Sequence, residues 1–115
     1  MKKIYKYQLG VDGESIVINS PVKQFLHIES QYGAPMVWAM IDSTLERCKY
    51  EVMCMGTGWP LPDELIDESV YLGTALDGAG FVWHYFVRRV APSYATVKTE
   101  YEYNSYDYQC THKNI

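Results

Sequence analysis

The chain lacks several features that would narrow its function at once. No apolar run approaches the length a bilayer crossing needs, and Lys6, Gln8 and Asp12 interrupt the stretch after Met1-Lys2-Lys3 before a signal-type segment can form. There is no basic stripe: 10 lysines and arginines stand against 14 acids, a formal charge of -4. A duplex-binding protein neutralises phosphates with clustered cations, so duplex nucleic acid is a disfavoured partner. Cysteine is scarce, and Cys48, Cys54 and Cys110 are odd in number and widely spaced, which implies no disulfide framework. Cys48 and Cys54 are expected to serve as buried apolar filler. His27, His84 and His112 lack metal-site spacing, and no local pattern marks a nucleophile. A cytoplasmic, non-enzymatic protein without metal or cofactor is expected, with no membrane partner.

What is present reads as strand and turn. Ile4 to Leu9 alternates, Gly10-Val11-Asp12-Gly13 reads as a turn, and Glu14 to Ile18 as a returning strand, the best local hairpin signal in the chain. Further strands are expected at Phe25 to Ile28, Met36 to Ile41, Tyr50 to Met55, Val70 to Thr74 and Phe81 to Val87. Met36 to Ile41 and Phe81 to Val87 are apolar on both faces, which predicts interior strands covered on both sides. Pro62 can open one short helical turn through Asp63, Glu64, Leu65 and Ile66. No helical pattern of about 10 to 15 residues separates the strands, so a doubly wound α/β fold is disfavoured. The expected fold is mainly β: a compact antiparallel sandwich or partly rolled sheet of about seven to eight short strands with one short helical turn.

Residues 1–92 are expected to form that domain, and 93–115 a tyrosine-rich extension serving as an edge strand or oligomer contact. The chain has 11 tyrosines. Tyrosine offers large contact area at small entropic cost, so Tyr101, Tyr103, Tyr106 and Tyr108 are candidate contacts of a homo-oligomer.

The loop Gly56-Thr57-Gly58-Trp59-Pro60-Leu61-Pro62 cannot continue a strand, since its prolines lack ladder donors. It lacks the spacing and lysine of a phosphate loop, and a tight turn at a strand end is the stronger reading of its glycines. Its functional reading is a ligand pocket. Gly56 and Gly58 expose backbone donors, Thr57 adds a hydroxyl, and Trp59 offers a stacking face. Arg88 or Arg89 would then supply an anion clamp, against the plainer alternative of a structural or solvated pair.

Beyond these single features, one set of segments resembles a family of small uncharacterised phage and prophage proteins. The matching residues are His27-Ile28, Gln31, Gly33, Pro35, Trp38-Ala39 and Asp42, then the Gly56 to Pro62 loop, Tyr71-Leu72-Gly73-Thr74, and Val82-Trp83-His84-Tyr85-Phe86. The resemblance covers residues 4 to 87 and carries no catalytic role. It implies a phage accessory protein acting in the cytoplasm of a bacterial host, against a host defence. Sequestration of a nucleotide-like signal in an oligomeric pocket is the first expectation. Inhibition of a host protein by direct contact is the alternative, and a small virion structural component a second one.

Overall fold

The computed structural model describes residues 1–90, together with the backbone of 97–102 and the side chain of Tyr101. Its elements are β1 (Lys2–Gln8), β2 (Ser15–Ser20), β3 (Val22–Gln31), β4 (Ala34–Asp42), β5 (Cys48–Gly56), α1 (Asp63–Asp67), β6 (Val70–Leu76), β7 (Val82–Arg89) and β8 (Val97–Glu102). The fold is mainly β, as the sequence predicts. Two sheets form, one ordered β1-β4-β3 and the other β6-β7-β5-β2-β8. All pairings are antiparallel except β2 with β8, which run parallel.

The core lies between the sheets. Alternation along each strand sends Val37, Ala39 and Ile41 from β4 inward to meet Ile16 and Ile18 from β2, Tyr50, Val52 and Cys54 from β5, and Tyr85 and Val87 from β7. The two apolar strands expected to be interior, β4 and β7, each have a neighbour on both sides in their sheet. Coverage is less complete than their composition predicts. Met36, Trp38 and Met40 are only half-buried, and Phe81 and Val82 are exposed. A continuous apolar run reports membership of the sheet's centre, yet only one of its faces is packed on the other sheet.

The expected hairpin between β1 and β2 is a correction. Asp12 and Gly13 do adopt the two positive φ values of a type I′ turn, and Glu14 N–H bonds Val11 C=O at 3.0 Å. The strands on either side belong to different sheets, however. Leu9 and Gly10 are buried at the crossing, and Leu9 N–H bonds Pro35 C=O at 2.9 Å, so the chain passes over the core instead of folding back in plane. The two-residue hairpin is β3–β4, turned by Tyr32-Gly33.

The two seams of the sandwich are closed by side chains. Gly73, at a bulge in β6, lies against Ile28 of β3, and Ser30 Oγ donates to Leu76 C=O. On the opposite seam, the Tyr7 and Tyr101 rings meet at a 55° tilt with centroids 5.4 Å apart, and Tyr101 OH donates to Gln8 C=O. Neither seam is a backbone ladder, so the sheet is partly rolled and does not close into a barrel. The helix α1 follows Pro62 and carries Asp63 and Glu64 in its first turn, as expected. No helix among the described residues is long and apolar enough to cross a membrane.

Candidate functional site at the loop end

Gly56 closes β5 opposite Trp83 of β7. Thr57-Gly58 then reverses the chain, with Gly58 at positive φ and Trp59 N–H bonded to Gly56 C=O at 3.2 Å. The Trp59 ring folds back over this turn. A Cβ on Gly56 would lie 2.4 Å from its Cε2, and one on Gly13 2.9 Å from its Cζ3. Both glycines therefore make room for the indole, which meets Trp83 edge-on at 5.5 Å yet remains 45% exposed. Trp59 is at once a partial cover for the β1–β2 turn and an open aromatic face.

With Gly56, Thr57, Gly80, Phe81, Val82 and Trp83, this indole lines an open cleft of about 360 Å³. Asp77 anchors Trp83, one of its walls. It accepts from Trp83 Nε1 at 2.9 Å with one oxygen and from the Ala79 and Phe81 amides with the other. The Trp83 indole is the chief reason its carboxyl sits below the usual carboxylate value, with neighbouring amides contributing. Phe81 projects beside the cleft, 62% exposed.

The same end of the molecule gathers the Tyr32-Gly33 turn, since Gly33 packs on Gly78. Tyr32 is 98% exposed and held at φ 54°, an uncommon position for a bulky side chain. Among the described residues nothing packs on that ring.

A hydrogen-bonded chain, unread in the sequence, runs beside the cleft. Thr57 Oγ1 and His84 Nε2 lie 2.7 Å apart, Thr74 Oγ1 and His84 Nδ1 2.9 Å apart, and Tyr71 OH bonds Thr74 Oγ1. It ties the Gly56 loop to β7 and β6. The Thr57–His84 pair has the spacing of nucleophile and base, but the third member is a neutral hydroxyl instead of a carboxylate. Only the strand register reveals this chain, because Thr74 and His84 are cross-strand partners.

Arg88 and Arg89 do not join the Gly56–Trp59 turn, although Arg88 lines a separate cleft with Pro62, Glu64, Leu65 and Glu68. In the β5–β7 register they face Glu51 and Tyr50, five residues along the strand from Trp83 and roughly 17 Å away. Arg88 is buried and forked onto Glu51, with Nε and Nη2 each 2.9 Å from Oε1, and its Nη1 is 3.5 Å from Glu68. Arg89 lies against Tyr50, whose hydroxyl is pushed up to about 12, chiefly by burial. The expected convergence fails because antiparallel pairing sends the end of β5 to the start of β7. Of the tyrosines, Tyr101 packs its ring at a tilt against Tyr7, while Tyr103, Tyr106 and Tyr108 lie outside the described residues.

Cys54 is a free, buried thiol, and burial pushes its pKa up. Cys48 is buried too, but it is disulfide-bonded, which corrects the expectation of simple filler. No cluster of metal-ligating side chains occurs among the described residues.

Comparison with curated proteins and with solved structures gave no match. A family model for a domain of unknown function, DUF7352, matches residues 1–95. That span includes both sheets through β7, the loop-end cleft and its hydrogen-bonded chain, and the protein belongs to this family.

Proposed function

We propose that this protein is a non-enzymatic binding protein that acts by direct contact with another protein through its loop end. The carrying observation is the exposed apolar surface there: Tyr32, Trp59 and Phe81, with Leu61, Leu76 and Val82 beside them. Large apolar side chains left in water at a set of neighbouring turns favour a contact surface, and tyrosine and tryptophan are the residues that dominate such contacts. The strained Tyr32 supports the same reading, because a fold optimised for stability alone would place asparagine or glycine there.

Nucleotide sequestration, the first expectation from sequence, fits less well. A phosphorylated ligand needs a cation beside the stacking face, and the cleft lining supplies none. If the protein is a phage accessory factor, as its motifs imply, the contacted protein belongs to the bacterial host.

The test is affinity capture from bacterial lysate with the full chain and with Phe81→Ala and Trp59→Ala, alongside mass spectrometry of small molecules released on denaturation. Specific protein capture lost in both folded variants is expected. Capture unchanged by both, or a stoichiometric small ligand with no protein, overturns the reading.

A further inference from the structure

Basic residues are unevenly placed along the strands. The four segments that meet at the loop end, residues 9–15, 31–35, 55–62 and 76–82, contain Asp12, Glu14 and Asp77 and no lysine, arginine or histidine. Lys2, Lys3, Lys23, Arg47, Lys49, Arg88 and Arg89 sit toward the opposite end among acids of their own, Asp42, Glu46, Glu51 and Glu68, and Lys6 reaches the loop end through its bond to Gln31.

We propose that the cleft formed by Trp59, Phe81 and Trp83 receives a cationic side chain, an arginine guanidinium or a lysine ammonium, from the contacted protein. This inference rests on the protein-contact reading above and names the chemistry of its partner. The rings are differently inclined: Trp59 to Trp83 at 73° and Phe81 to Trp83 at 48°. Rings set at such angles offer a group entering the cleft both faces and edges. A cation within roughly 6 Å of a ring centroid is drawn to the negative face, most strongly by tryptophan. The planar guanidinium can also lie flat on the exposed Trp59 indole.

Carboxylates flank the rings on two sides. Asp12 precedes Gly13, on which the Trp59 ring rests, and it is exposed in its turn. Asp77 accepts the Trp83 indole N–H, which leaves the ring richer in electron density, and places its own negative charge near the cleft. These four segments contain no basic residue; the His84 imidazole that reaches them is hydrogen-bonded to Thr57, and the Lys6 ammonium to Gln31. An anion would meet acids nearby, with Arg88 already held by Glu51 at the far end.

The test is titration of the full-length, nitrogen-15-labelled protein with blocked Gly-Arg-Gly, Gly-citrulline-Gly and Gly-Leu-Gly peptides, reading the indole N–H resonances. The arginine peptide is expected to shift Trp59 and Trp83 and to bind at least about threefold tighter than its neutral citrulline analogue. Asp12→Asn is expected to weaken it roughly twofold to threefold, and Phe81→Ala similarly, with folds unchanged in the amide spectrum. Equal binding of the arginine, citrulline and leucine peptides overturns the cation assignment while leaving protein contact standing. No indole shift with the arginine peptide at its solubility limit overturns it also. Loss of protein contact itself is read separately, from the capture experiment.

Discussion

Trp83 donates its indole N–H to Asp77 at 2.9 Å, tying one wall of the cleft to the β6–β7 turn. The bond favours the ionised carboxyl, so the folded pKa of Asp77 lies below its ordinary 3.8. For a depressed carboxylate, the stabilisation is complete above the unfolded value and is lost as pH falls through the folded one. Thermal melts of wild type and Asp77→Asn should therefore differ by a constant amount above about pH 5, and the gap should close in stronger acid. A gap independent of pH would refute the role of ionisation.

Tyr85 ties the second sheet to the crossing between the sheets. Its hydroxyl donates to Gly10 C=O at 2.7 Å, and its side chain is fully buried. Tyr85→Phe keeps the ring and strands a buried carbonyl, which should cost about 1–3 kcal/mol in urea unfolding. A neutral substitution would mean that water or a shifted backbone group satisfies Gly10.

The Arg88–Glu51 pair should behave as structure. Removing one partner leaves a buried charge alone, so Arg88→Met is expected to destabilise by about 3–5 kcal/mol. Adding Glu51→Gln to that variant should recover much of the loss. Were Arg88 a ligand clamp, Arg88→Met would spare stability and abolish binding instead.

Tyr32→Asn separates stability from function. Asparagine accepts positive φ more easily than tyrosine, so the variant should gain about 1 kcal/mol. Under the contact reading it should also lose partner affinity. A variant that is more stable and binds unchanged would remove Tyr32 from the surface.

Much of this architecture is legible in the sequence, and the exceptions have physical causes. Alternation marks Tyr50, Val52 and Cys54 as one face of β5, and Pro62 marks the start of α1. Asp12-Gly13 correctly signals a type I′ turn, but turn chemistry does not say which strand each arm will pair with. The non-local ladder with β4 claims β1. Tyrosine is an unfavourable first residue for the type of turn that joins β3 to β4, so that two-residue loop stands out less than Asp12-Gly13 does. Within the candidate site, Gly56 to Trp59 is readable from its glycines and its aromatic. The partners that complete it, Phe81 and Trp83 and the Thr57–His84–Thr74 chain, depend on the register of three strands, which spacing along the chain cannot supply. The same register carries Arg88 and Arg89 away.

Asp12, Glu14 and Asp77, carried by the four segments of the loop end, set a local acidic patch around the aromatic cleft. Near a basic surface such a patch gives the molecule a torque as well as an attraction, so it turns before it touches and presents the cleft first. Encounter is then enriched in the productive orientation, a gain in association rate that needs no additional contact. Because the Debye length shrinks to about 8 Å at physiological ionic strength, the gain should fade with added salt. Stopped-flow measurements should show association slowing steeply from low to high salt while dissociation, governed by the packed rings, changes little.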